Sequence, residues 1–94
     1  MDLGLKGRVA LVTGGSKGIG KAVARGLVEE GVRVAICARS KASLEEAARE
    51  LAGAPGAEVF AVAGDLTRPD DVQRIVDGTV GRFGRIDILV NNAG

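Results

Sequence analysis

At 94 residues the chain has room for one small domain and not for two. Its 46% hydrophobic content can build a core, but with two Phe and no Tyr, Trp or His that core must be Val, Ile, Leu and Ala, and two common acid–base side chains are missing. The 13 basic and 12 acidic residues are mixed along the chain, which leaves no basic block for nucleic acid, and no apolar stretch is long enough to span a bilayer.

In chain order, Val9 to Val12 is a short unbroken apolar run closed by a glycine-rich turn, the pattern of a strand buried on both faces. Ile19, Val23 and Leu27 then recur at helical spacing, with Ala22 and Gly26 beside them, and Gly31 stops that helix. Val32, Val34 and Ile36 make a second strand. Ser43 with Glu46 three residues on reads as a capping box for a second helix, whose apolar face is Leu44, Ala47, Ala48 and Leu51. The stretch from Gly53 to Gly56 is a break, and Val59 to Ala63 is a third strand.

Thr67 can cap a third helix with Pro69 in its first turn. Val72, Ile75, Val76, Val80 and Phe83 are its expected buried face, and Gly84 ends it. Ile86, Ile88, Leu89 and Val90 read as a fourth strand. Asp87 is the odd residue there, either at the strand's exposed start or paired with a base such as Arg85.

Strand and helix thus alternate throughout, the signature of right-handed crossovers and an α/β architecture. The expected fold is a Rossmann-type half domain over residues 1–94: a parallel sheet of four strands, order 3-2-1-4, with three helices. Nothing at the N-terminus resembles a signal peptide, and the single Cys37 cannot form an internal disulfide. A soluble cytoplasmic protein is expected, with Cys37 a small buried residue rather than a reactive thiol.

The most informative segment is Thr13-Gly14-Gly15-Ser16-Lys17-Gly18-Ile19-Gly20, between the first strand and the first helix. Glycines there let the backbone turn sharply and approach phosphates without a Cβ in the way. The first N–H groups of the helix then face the anion, and the helix dipole favours negative charge. The second strand ends at Arg39-Ser40 with no carboxylate, where an NAD site usually has an acid about 20 residues beyond the turn. Arg39 can instead grip a ribose 2′-phosphate with two parallel bonds, Ser40 can donate another, and Lys17 adds a cation. The bland alternative is that Arg39 and Lys17 are solvated surface cations. NADP(H) is therefore expected over NAD(H).

The spacing T-G-x-x-x-G-x-G resembles the first turn of the short-chain dehydrogenase/reductase family, and Asn91-Asn92-Ala93-Gly94 matches that family's N-N-A-G motif after the fourth strand. Gly64-Asp65-Leu66 follows the third strand, where the family has an Asp whose side chain reaches the adenine. The resemblance covers the whole chain and implies a nicotinamide dinucleotide site made of Gly14, Gly15, Ser16, Lys17, Gly18, Ile19, Gly20, Arg39, Ser40, Asp65, Leu66, Asn92, Ala93 and Gly94. In look it is closest to the 3-oxoacyl-acyl-carrier-protein reductases and related ketone reductases.

The family's chemistry uses a Y-x-x-x-K pair, a Ser and a further Asn, all beyond the N-N-A-G motif, and this chain has no Tyr at all. The chain is accordingly expected to be a front half that holds cofactor and is inactive alone, with no catalytic residue of its own and no metal. A non-catalytic nucleotide-binding module and a purely structural piece are the competing readings. The fourth strand, or a sheet face left uncovered beside it, is expected to drive self-association.

Overall fold

The computed structural model describes residues 4–92. Strands and helices alternate as β1 (Val9–Thr13), α1 (Gly18–Glu29), β2 (Arg33–Ala38), α2 (Lys41–Ala52), β3 (Val59–Ala63), α3 (Pro69–Phe83) and β4 (Ile88–Asn91). All strand pairs are parallel, and the sheet order is β3-β2-β1-β4. The expected α/β half domain is therefore the observed one. β1 lies between β2 and β4 and all its residues are buried, which is why its sequence is an unbroken apolar run.

The pleat divides the core in two. Ala10, Val12, Val34 and Ile36 face α1 and α2, where Ala24, Val28, Leu44, Ala47 and Leu51 meet them. Val9, Leu11, Ala35 and Cys37 face the other way, onto Ile75 and Phe83 of α3. Burying each of the larger aliphatic or aromatic side chains contributes about 1.5–3 kcal/mol, so these two layers are the main favourable term in folding. The two phenylalanines, Phe60 and Phe83, meet edge to face with centroids 6.4 Å apart.

Helix phase and caps depart from the sequence reading in several places. The innermost line of α1 is Gly20, Ala24 and Val28, with Val23 and Leu27 on its flank, whereas Ile19 is 74% exposed. Small residues let this helix lie close to the sheet, and their low hydrophobicity hides them from a periodicity count. In α2 the cap is Ser40, not Ser43: the helix starts three residues earlier, and Ser40 Oγ accepts the Ser43 N–H at 3.3 Å. Thr67 does not cap α3, whose cap position is Arg68 without a side-chain bond. Thr67 instead donates its N–H and hydroxyl to Asp65 Oδ1.

The buried line of α3 is Ile75, Thr79 and Phe83. Thr79 is tolerated there because its hydroxyl donates to the Ile75 carbonyl at 2.8 Å. Val72 and Val80 of the expected face stay 37% and 41% exposed. β4 itself begins at Ile88, after Ile86. Asp87 satisfies both of its readings: it sits at the foot of the strand, where its carboxylate accepts the Val9 N–H at 2.8 Å and the Arg85 Nε–H at 2.9 Å. Its own N–H donates to the Val9 carbonyl, so this one residue locks β4 to β1 at the lower end.

Candidate functional site

Parallel strands in this order bring the C-terminal ends of β1, β2, β3 and β4 to one edge, where the loops after each strand meet. Gly14 and Gly18 have φ of +67° and +53°, a region L side chains rarely adopt, and they bend the chain from β1 into α1. The Gly14 N–H donates to the Cys37 carbonyl at 2.9 Å, and the Gly15 N–H reaches the same oxygen at 3.4 Å. The Gly14 amide thus anchors the turn to β2 and is not offered to an anion.

The amides that remain are those of the helix start. The first helical bond is Lys21 N–H to Lys17 O, so Gly18, Ile19 and Gly20 precede the ladder, and among the described residues none of their N–H groups has an acceptor in the chain. No side chain caps α1, and its first turn holds no acid. An anion placed there meets open donors and the positive end of the dipole. Gly20 serves a different need. A Cβ on it would stand 2.7 Å from Asn92 Nδ2 and collide with the Gly14 carbonyl, so helix, turn and the top of β4 are packed closely together.

The wall opposite is the β3–α3 loop. Asp65 Oδ1 accepts the Thr67 hydroxyl at 2.7 Å and the Thr67 N–H at 2.9 Å, and these bonds hold its carboxyl below the usual carboxylate range. The Asp65 N–H is in turn accepted by Asp71 Oδ2 at 2.8 Å. At the third side, the Thr13 hydroxyl accepts the Asn92 N–H at 2.8 Å.

A cleft of about 780 Å³ runs between these walls. Gly14, Ser16, Lys17, Arg39, Asp65, Leu66 and Asn92 of the sequence-derived set line it together. Gly15 lies under the turn against Ile36, and Gly18, Ile19 and Gly20 form the helix start beside the cleft. Ser40 is not in the lining; it is occupied as the α2 cap. Ala93 and Gly94 lie outside the described residues.

The sequence reading missed Ala38, Gly64, Thr67 and Asn91 as lining residues, and their only signal was adjacency to the chosen motifs at strand ends. Cys37 also lines the cleft, yet it is buried, and desolvation pushes its thiol pKa up against a weaker opposing pull from the Gly14 backbone. Both burial and that upward shift disfavour the reactive thiolate. Among the described residues no group of His, Cys, Asp and Glu is arranged to hold a metal ion, and no helix is long and apolar enough to cross a membrane.

The sequence model of the family described as short chain dehydrogenase matches residues 8–94. L-fucose dehydrogenase from Bos taurus is 46% identical over 88 residues, which cover 94% of this chain and 31% of that protein. The L-sorbose reductase of Gluconobacter frateurii, solved with NADPH and L-sorbose, superposes with a TM-score of 0.96 at 46% identity, over 100% of this chain and 36% of that one. A metagenomic short-chain oxidoreductase solved with NADP gives a TM-score of 0.87 at 44% identity, over 95% of this chain and 40% of that one. The chain spans about a third of the length of the relatives it matches.

Proposed function

Because this chain belongs to the short-chain dehydrogenase family, we propose that it is the NADP(H)-binding portion of an oxidoreductase that reduces a ketone or oxidises an alcohol. The observation that carries this reading is the set of open amides at Gly18, Ile19 and Gly20, at the same strand-end edge as Arg39 and Lys17. Those amides suit the diphosphate. Arg39, with Lys17 nearby, suits the 2′-phosphate, and β2 ends without the carboxylate an NAD site would use. Asp65 and Leu66 form the adenine side, and Asn92 continues the cleft toward the nicotinamide. When bound, the dinucleotide supplies or accepts a hydride.

What these residues do is bind and orient. The turn neutralises the phosphates, Asp65 offers a carboxylate oxygen to a donor on the base, and the packed Gly14–Gly20–Asn92 contact keeps the turn in shape. The proton needed at a substrate oxygen has no donor of the family's kind here, since the chain has no Tyr. The chain by itself is therefore inactive in this reading. The likeness to 3-oxoacyl-acyl-carrier-protein reductases rests on the glycine turn and the Asn91–Gly94 motif alone, whereas the relatives named above, L-fucose dehydrogenase and L-sorbose reductase, point to a sugar as substrate class. A single cysteine, with no internal disulfide for an oxidising compartment to favour, is in keeping with the cytoplasm.

A second part of the reading concerns partners. Leu89 is 63% exposed on β4, and with Val72 and Ile86 it borders an apolar cavity of about 280 Å³ beside α3. This face supports self-association of the isolated chain.

The test is a titration of the purified chain with NADP, NAD and 2′,5′-ADP, read from its amide shifts. Binding of NADP and 2′,5′-ADP at Gly18 to Gly20, with NAD much weaker, is the expected result. No response to any of the three would leave a structural piece, and ketone turnover with NADPH would overturn the assignment of inactivity.

A further inference from the structure

Two side chains that do not line the cleft hold the loop that does. Gly64 joins the end of β3 to Asp65, and the first turns of α3 grip the chain on both sides of it. Arg74 donates from its terminal guanidinium nitrogen to the Ala63 carbonyl at 2.7 Å, just before Gly64. Asp71 Oδ2 accepts the Asp65 N–H at 2.8 Å, just after it. The two side chains also pair with each other, Arg74 to Asp71 Oδ1 at 3.5 Å. Gly64 fits this grip closely: a Cβ there would stand 2.9 Å from Ile75 Cδ1 and 3.2 Å from the Arg74 nitrogen.

We infer that Asp71 and Arg74 are positioning residues for the Asp65–Leu66 wall of the cleft, setting affinity for the adenosine half of the ligand without touching it. The inference rests on the reading of that wall as the adenine side of an NADP(H) site. Its logic is geometric. With the Asp65 backbone pinned from α3 and Asp65 Oδ1 occupied by Thr67, the carboxylate has one settled orientation. Among the described residues no hydrogen-bond partner meets Asp65 Oδ2, which leaves that atom for a donor on a ligand. Releasing the clamp returns freedom to the loop, and a ligand that uses Asp65 must then order it again. A ligand that uses only the α1 turn incurs no such cost.

Two probes separate these cases: 2′,5′-ADP, which needs the adenine wall, and inorganic pyrophosphate, which needs only the α1 turn. Asp71→Ala is expected to weaken 2′,5′-ADP by about ten-fold, while pyrophosphate binding, followed at Gly18 to Gly20, stays unchanged. Asp71→Asn keeps an acceptor for the Asp65 N–H and is expected to recover most of the loss. Arg74→Met removes the bond to Ala63 while keeping the apolar stem, and is expected to weaken 2′,5′-ADP selectively as well. Equal weakening of both probes, or no change for 2′,5′-ADP, would overturn the positioning role. If Asp71→Ala does not fold, Arg74→Met carries the same comparison with the same two outcomes. Failure of the underlying reading looks different and comes first: the unsubstituted chain would bind pyrophosphate but not 2′,5′-ADP.

Discussion

The backbone N–H of Asn92 donates to the Thr13 hydroxyl at 2.8 Å, so a side chain extends the hold of β1 on β4 one residue past the ladder pair Thr13–Asn91. The same hydroxyl stands 3.1 Å from Asn91 Oδ1 and 3.3 Å from the Val90 carbonyl. One short side chain therefore sets the spacing between the β1–α1 turn and the Asn91–Asn92 segment, and both border the cleft.

Thr13→Val keeps the shape of the side chain and removes its hydroxyl. Asn92 then loses one hydrogen bond at an exposed position, at a cost of about 0.5–1.5 kcal/mol. The urea midpoint should fall at an unchanged m-value, and Thr13→Ser should recover most of it. A midpoint equal to that of the unsubstituted chain would show that the link contributes nothing.

Gly20→Ala places a Cβ against the Gly14 carbonyl and Asn92 Nδ2. Relieving it means moving backbone, which costs about 1–3 kcal/mol and reshapes the turn. Gly18→Ala meets nothing within 4 Å and suffers only from its φ of +53°, so the strain is about 1–2 kcal/mol. Thermal melts of both, with pyrophosphate titrations, should show Gly20→Ala losing anion binding and Gly18→Ala retaining more of it.

Arg39→Ala should weaken NADP and 2′,5′-ADP by about ten- to a hundred-fold, the value of one or two charge-assisted bonds to phosphate, and leave NAD as it was. Isothermal titration at fixed ionic strength measures this directly. Parallel losses for NADP and NAD would mean that Arg39 does not read the 2′-phosphate.

Acid should loosen the fold through three aspartates. The Val9 amide, with Arg85 adding to it, holds the Asp87 carboxyl below its ordinary range; Thr67 does so for Asp65, and the Asp65 amide for Asp71. A folded pKa below the unfolded one means stabilisation that is complete above the ordinary Asp value of about 3.9 and is lost as pH falls through the lower folded value. Urea midpoints should therefore fall in that acid window, and Asp87→Asn should flatten part of the slope. A slope identical in the variant would remove Asp87 from the account.

Leu89→Lys puts a charge on the exposed β4 edge. If self-association uses this edge, sedimentation at micromolar concentration should shift toward the monomer. A Val80→Glu variant tests the exposed flank of α3 in the same way, and no shift in either would exclude the face.

Strand order and the alternation of elements were legible because each buried strand is a compact apolar run between glycine-rich turns, and parallel pairing leaves few ways to connect such runs. Helix phase was harder to read. In α1 the inward line is set by how near the backbone must come to Gly14 and Asn92, so Gly20 faces in while the more hydrophobic Ile19 faces out. In α3 a threonine took an inward position by bonding back to Ile75. The cleft itself was largely legible, since Lys17, Arg39, Asp65 and Asn92 all sit just past strand ends. The fate of individual amides was not: that Gly14 is spent on Cys37, and that Asp71 holds Asp65, depends on partners remote in sequence or in direction.

Contact between Gly20, the Gly14 carbonyl and the Asn92 side chain gives the proposed anion receptor its curvature before any ligand arrives. A receptor already in shape gives up little motion on association, so more of each phosphate bond survives as affinity. It also ties recognition to integrity, because damage to this junction unsettles the turn, the helix start and the end of β4 at once and is felt in folding and in binding together.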